Sequence, residues 1–263
     1  MSPAILVTGG GGGIGAAVVR RACAAGWFTW VAGRDAGRLE ATVKDVRSRG
    51  GNAATIELDV ANPDSCRRAC EKALLAAAEP IAGLVNCAGI AISAPLLSGD
   101  PELHEKHFAV NFHGARRMIE ALAPRLRENK HGRIVNVASS AGLRGYAYAA
   151  AYCASKHALI GYTRAAALEL AGSGVSIAAV CPHYVDSPLT DASVERLVAK
   201  TKRTAAEARA FLARQNPGGR LISCEEVADA VWSLIEGGEN GTILELDGAR
   251  TLRVEGAATV SKT

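Results

Sequence analysis

Along this chain, short apolar runs rich in Val and Ile alternate with longer segments in which apolar residues return at helical spacing. The short runs are continuous rather than apolar-polar alternations, as expected of strands buried on both faces, and the helical segments between them supply the crossovers that parallel neighbours need. The pattern predicts strands at Ala4 to Thr8, Phe28 to Ala32, Ala54 to Leu58, Gly83 to Asn86, Arg133 to Ala138, Val175 to Cys181 and Thr242 to Leu246. Helical spacing covers residues 15 to 25, 36 to 49, 64 to 78, 102 to 129, 150 to 171 and 225 to 236. This alternation predicts an α/β fold, a doubly wound parallel sheet of about seven strands with ligands at the carboxyl ends of the strands.

One stretch breaks the rhythm. Residues 183 to 224, between the last two strands, carry helical pattern of their own, and residues 249 to 263 read as a loose tail. With 263 residues, 49% of them hydrophobic, the chain can bury a large core, and we expect one domain over 1 to 248. Thirty Lys and Arg against 26 Asp and Glu give a charge of +4, spread along the whole length, so no basic stripe points to nucleic acid. The seven cysteines, an odd number without repeated spacing, suggest neither a disulfide framework nor a zinc site. Cys66 and Cys70 read as packing thiols, and no metal is expected. The start "MSPAILVTGG" lacks a basic leader, and no apolar run reaches the ~20 residues of a membrane span, so a soluble, cytoplasmic protein is expected.

Candidate chemistry begins at "ILVTGGGGGIGAAVVRRA", where a glycine-rich turn joins a strand to a helix. Residues without side chains let backbone amides approach a pyrophosphate, and the helix N-terminus adds partial positive charge, so this is a nucleotide site. A second signal lies in "YCASK". Tyr152 and Lys156 are four apart on a predicted helix and share a face. A phenol with a pKa of about 10 transfers protons poorly at neutral pH, and an adjacent ammonium is expected to lower that value. Ser139 and Ser140 follow the strand "RIVNVA" and so lie at the carboxyl edge of the sheet beside the same site.

These motifs, with "ELDV", "NCAG", "HFAVNFHG" and "CPHYVDS", resemble in type and order those of the short-chain dehydrogenase/reductase family over residues 3 to about 248. The resemblance implies a Rossmann-like domain and a cofactor site at Gly9, Gly13, Ile14 and Gly15. It adds Asp59 and Val60 beside the adenine, then Asn86, Ala88 and Gly89, and, beyond the sixth strand, Pro182, Val185 and Ser187. It selects Ser139, thirteen residues before Tyr152, as the hydroxyl that holds the substrate oxygen. Lys156 is implied to bind the nicotinamide ribose as well as to perturb Tyr152, and Asn111 to hold a water that relays protons to Lys156. The departures are Cys87, His183 and Ala249, where relatives usually show Asn, Gly and Gly.

At the end of the second strand, in "WVAGRD", Gly33 stands where enzymes using NAD place a carboxylate, and Arg34 suits a ribose phosphate, which favours NADP(H) over NAD(H). Asp35 is close enough to blunt Arg34, and Gly12 stands where many NADP-using relatives have a second basic residue. His183, Tyr146, Tyr148 and Tyr184 are candidates for the substrate pocket. Residues 183 to 224 correspond to the relatives' substrate lid. Between Asp186 and Arg220 seven basic residues face four acidic ones, an excess of three that suits the phosphates of coenzyme A or an acyl carrier protein. The expected activity is interconversion of a ketone and a secondary alcohol, with a 3-oxoacyl thioester or polyketide-like ketone as substrate. A steroid, sugar or cyclic alcohol is the alternative, and a non-catalytic NADP(H) sensor a remoter one. In relatives the helix after Lys156 and the one before it pack against a neighbouring subunit, so the resemblance implies a homotetramer, or else a homodimer.

Overall fold

The computed structural model describes residues 3–75, 80–98 and 100–255. In chain order its elements are β1 (Ala4–Thr8), α1 (Gly13–Ala24), β2 (Phe28–Gly33), α2 (Ala36–Ser48), β3 (Ala53–Glu57), α3 (Pro63–Leu75), β4 (Ile81–Asn86), α4 (Pro101–His107) and α5 (Ala115–Glu128). There follow β5 (Gly132–Val137), α6 (Ala150–Leu170), β6 (Val175–Pro182), α7 (Pro188–Lys200), α8 (Ala205–Ala213), α9 (Cys224–Gly237), β7 (Ile243–Leu246) and β8 (Thr251–Glu255). The strands lie in the order β3-β2-β1-β4-β5-β6-β7-β8, all parallel except β8. Strand order reverses between β1 and β4, and that switch point opens a crevice at the carboxyl edge.

The apolar runs are buried on both faces as their pattern requires. Val18, Val19, Val231 and Trp232 of α1 and α9 cover one side, and Met118, Leu122 and Cys70 of α5 and α3 the other. Trp27 meets Trp232 edge to face at 5.6 Å, closing the α1–α9 contact. Cys66 and Cys70 are buried, with Cys70 Sγ 3.9 Å from Met118 Sδ. No helix among the described residues is long and apolar enough to cross a membrane.

Two expectations need correcting. The tail is not loose throughout: β8 adds an eighth, antiparallel strand, while 256–263 lie outside the described residues. The signal was the Asp247-Gly248 pair, a hairpin dipeptide. Gly248 adopts φ 86°, and Asp247 Oδ1 accepts the N–H groups of Ala249 and Arg250, each at 2.8 Å. The predicted helix 102–129 is not continuous, because residues Phe108–Gly114 form a π-helical turn between α4 and α5. The predicted helix 64–78 is described only to Leu75, and 76–78 lie outside the described residues.

Residues 183–224 fold over the carboxyl edge as α7 and α8. Thr204 and Glu207 cap α8 reciprocally, and Ser223 and Glu226 do the same for α9, two of the caps a Ser/Thr-x-x-Glu sequence predicts. Asn216, buried between them and the sheet, pairs with the backbone of Tyr184: its Oδ1 accepts the Tyr184 N–H at 2.9 Å and its Nδ2 donates to the Tyr184 carbonyl at 2.8 Å.

Candidate active site

The glycine turn needs its glycines. Gly9 and Gly13 have φ of 68° and 51°, the left-handed region, and a Cβ on Gly15 would lie 2.1 Å from the Gly9 carbonyl oxygen. A Cβ on Gly9 would come within 2.9 Å of the Ala88 nitrogen, so β1 and β4 approach as closely as backbones allow. Thr8, which the sequence reading passed over, ties the two together: its buried Oγ1 accepts the N–H groups of Cys87 and Ala88 at 3.0 and 3.1 Å. The turn opens into a cleft of about 1520 Å³ that runs to the lid. Ile14, Asp59, Val60, Ala88 and Gly89 all line it, as do Pro182, Val185 and Ser187 at the far end. Asn86 does not. Its amide is turned into the sheet and donates to Asn136 Oδ1 at 2.9 Å, a bond that fixes β4 against β5.

Arg34 is exposed at the mouth, past the end of β2. Asp35 does not blunt it. That carboxylate caps α2 by accepting the Arg38 N–H at 3.1 Å and lies 3.4 Å from Arg38 Nε. Arg38 lines the same edge of the cleft, so a second guanidinium stands beside Arg34 although the glycine motif carries no basic residue. The signal was available: position 38 is on the first turn of α2, one turn past the residue that ends β2. A cradle of bare backbone, a long cleft and two guanidinium groups at its rim fit a dinucleotide cofactor.

At the inner end, α6 presents Tyr152 and Lys156 to the cleft on one face, as their spacing predicts. Lys156 is 4% exposed and its Nζ donates to the Val137 carbonyl at 2.9 Å, with Nζ 5.9 Å from the centre of the Tyr152 ring. Burial lowers the ammonium from its ordinary 10.5 to about 8. The expected depression of Tyr152 is not found. Burial pushes the phenol up to about 12, and contact with the Ser139 side chain opposes that rise. Tyr152 is therefore a protonated phenol at neutral pH.

Ser139 is buried just past β5, and its Oγ accepts the Ala141 N–H at 3.1 Å. Asn111, in the π turn, is 1% exposed and faces Ile90 and Ser155 rather than the cleft. His107, four residues before it, is fully buried and stands edge-on to Tyr152, the ring centres 6.1 Å apart. Its Nδ1 donates to the Leu103 carbonyl at 2.7 Å and its Nε2 accepts the Ile92 N–H at 3.1 Å, so the neutral ring is fixed, and burial holds its pKa low. Sequence reading missed His107, for nothing in its spacing sets it apart from a packing residue. Cys87 also faces the cleft, but burial pushes its thiol up to about 12, which leaves it unreactive.

On the lid side, Tyr146, Tyr184 and His183 line the cleft, with the two tyrosine rings 6.4 Å apart. Tyr148 is 68% exposed at φ 63°, a conformation rarely adopted by a bulky residue, and its carbonyl accepts the Ala94 N–H at 2.9 Å. Three of the lid's seven basic residues are held by neighbours. Arg209 pairs with Asp186 and Asp191, Arg220 with Glu226, and Arg196 donates to the Ala91 carbonyl at 2.7 Å, pinning α7 to the opposite wall.

A doubly wound sheet with a glycine cradle at its switch point, and a phenol, a hydroxyl and an ammonium converging beyond it, defines a nucleotide-dependent oxidoreductase. Residues 3–197 match the family model described as short chain dehydrogenase, and the chain belongs to that family. It is 35% identical over 251 residues to the short-chain reductase protein NovJ of Streptomyces niveus, covering 93% of this chain and 92% of that one. Among solved structures it is similar to a variant of the actinorhodin polyketide ketoreductase with NADPH, at a TM-score of 0.89 and 31% identity over 94% of this chain and 97% of that one. It is also similar to a 3-oxoacyl (acyl-carrier-protein) reductase from Agrobacterium tumefaciens C58 with NADP bound, at a TM-score of 0.83 and 26% identity over 94% and 93% of the two chains. The protein is thus a dehydrogenase/reductase acting on hydroxyl and ketone groups.

Proposed function

We propose that this protein is an NADP(H)-dependent ketoreductase that takes a 3-oxoacyl thioester or a polyketide-like ketone. The observation that carries the reading is the convergence of a buried hydroxyl, Ser139, a half-buried phenol, Tyr152, and a buried ammonium, Lys156, on the inner end of one nucleotide-sized cleft. The cofactor, when bound, supplies or accepts the hydride. Ser139 and Tyr152 donate hydrogen bonds to the ketone oxygen, and Tyr152 yields its proton as negative charge develops there. Lys156, held by Val137, binds the cofactor's ribose and restores the proton of Tyr152. Asn111 supports that relay by holding the backbone of Ile90. Gly9, Gly13, Ile14 and Gly15 hold the pyrophosphate, Asp59 and Val60 the adenine, and Arg34 with Arg38 the ribose phosphate.

The two ketoreductase likenesses support this substrate class, as does a cleft wide enough for a chain-bearing ketone. Coenzyme A or an acyl carrier protein is the acyl carrier we favour, and a cytoplasmic homotetramer the working form, which size-exclusion with light scattering tests directly. For the activity, NADPH oxidation is followed with acetoacetyl-CoA, a β-ketoacyl N-acetylcysteamine thioester and a bicyclic ketone, in the wild type and in Tyr152→Phe. Turnover of the thioesters that disappears in the variant is the expected result. Tight NADPH binding without turnover of any ketone would refute the reading.

A further inference from the structure

A buried carboxylate lies behind the substrate side of the cleft, outside the machinery just described. Glu245, on β7, is 6% exposed, and its Oε1 meets both Arg144 Nη2 at 2.5 Å and His183 Nε2 at 2.7 Å. From His183 a line of hydrogen bonds continues inward. Its Nδ1 lies 3.4 Å from Tyr146 Oη, and Tyr146 Oη lies 2.8 Å from Ser140 Oγ. His183, Tyr146 and Ser140 all line the cleft, and Ser140 directly follows Ser139.

The chemistry of these groups sets which atom donates at each step. Arg144 Nη2 and His183 Nε2 both aim at Glu245 Oε1, and a carboxylate oxygen accepts from them, which places a hydrogen on His183 Nε2. In the tautomer with its one N–H on Nε2, Nδ1 is left as an acceptor facing Tyr146. In that tautomer the single proton of Tyr146 is accepted by Nδ1, which leaves Ser140 as the donor to the phenol oxygen. With both hydroxyl protons committed, the remaining valences on Tyr146 Oη and Ser140 Oγ are lone pairs.

Resting on the ketoreductase reading, we propose that Glu245 and His183 are positioning residues that turn the Tyr146 proton away from the substrate. The Ser140–Tyr146 wall then accepts a hydrogen bond from a hydroxyl group carried by the ketone. The pocket has two polarities: Ser139 and Tyr152 donate to the oxygen that is reduced, while Tyr146 and Ser140 receive a donor elsewhere on the same molecule. The preferred substrate class is a hydroxylated ketone.

Two measurements test this, the first without any substrate. In protein labelled with ¹⁵N-histidine, long-range proton–nitrogen correlation at neutral pH should show a neutral His183 protonated on Nε2, its signals identified by their loss in His183→Gln. In Glu245→Gln that tautomer should lose its dominance. A His183 protonated on Nδ1, or on both nitrogens, overturns the proposal, since Tyr146 would then be free to donate. The second measurement compares kcat/KM for two β-ketoacyl N-acetylcysteamine thioesters, the chain hydroxyl free in one and methylated in the other. The wild type should favour the free hydroxyl by about fivefold, the worth of one hydrogen bond, and Tyr146→Phe should lose most of that ratio through KM. No preference in a wild type that turns over both thioesters overturns the proposal. If the wild type reduces neither, the ketoreductase reading fails, and the histidine signals decide the proton arrangement separately.

Discussion

Asn111 and Ile90 hold each other by two hydrogen bonds. The Ile90 N–H donates to Asn111 Oδ1 at 2.8 Å, and Asn111 Nδ2 donates to the Ile90 carbonyl at 3.0 Å. The π turn that carries Asn111 makes this possible, because the extra residue in the turn points its amide at the chain leaving β4. A third bond, from Nδ2 to Ser155 Oγ at 3.0 Å, ties the same amide to α6 one residue from Lys156.

Gly89 lies between Asn111 and Lys156, and it gives a selective test of their relay. A Cβ there would sit 3.4 Å from Asn111 Oδ1 and 3.7 Å from Lys156 Nζ, ordinary contact distances that leave the fold unstrained while filling the gap. Gly89→Ala should therefore keep the wild-type melting temperature within a few degrees, and the proposed relay through a water in this gap requires kcat to fall by roughly 10-fold or more. A variant as active as the wild type would remove the relay from this gap.

Ser139→Ala tests the donor to the ketone oxygen. Loss of a single oxyanion-stabilising donor costs about 10² to 10³ in kcat, and that range is expected here with little change in NADPH binding. Removing the Ser139 bond also takes away the one contact that opposes the upward push on Tyr152, so any alkaline limb of the rate profile should move to higher pH.

Lys156 gives a stability test with a defined sign. Its folded pKa of about 8 lies below the ordinary 10.5, so between these values the unfolded chain binds more protons and stability rises with pH. Below pH 8 the burial cost is present in full, and by linkage it amounts to about 3 kcal/mol at most. Lys156→Met should be inactive yet melt several degrees above the wild type at pH 7, with the gap closing toward pH 10.5. A variant less stable than the wild type at pH 7 would contradict the burial cost.

Arg34 and Arg38 are the test of cofactor choice. Each guanidinium lost from a phosphate costs roughly 1.5 to 3 kcal/mol, about 10- to 100-fold in KM for NADPH. Arg34→Ala and Arg38→Ala should both show this, with KM for NADH within about twofold of the wild type. An equal effect on both cofactors would place these residues elsewhere than on the ribose phosphate.

Much of this was open to reading in the chain. The alternation of apolar runs and helical segments determined the parallel sheet, because strands buried on both faces must be apolar throughout. The glycine turn was legible because φ of 68° at position 9 strongly favours Gly and a 2.1 Å approach at position 15 leaves no room for a Cβ. The Tyr152–Lys156 face followed from helical geometry alone. Tertiary structure decided what depends on atoms distant in sequence. Asn86 turned into the sheet because Asn136 stands opposite it on β5, fifty residues away. Packing around α6 desolvated Tyr152, so it took a raised pKa instead of the lowered one its neighbour Lys156 suggested. Asp35 chose Arg38 over Arg34 because a helix N-cap aims its carboxylate three residues ahead. Glu245 and His183, 62 residues apart, met only because β6 and β7 pair in the sheet. Spacing along a chain reports which residues share a helix face or a turn. Which charges and donors meet across the sheet is set by packing, and that arrangement fixed the ionisation of the site.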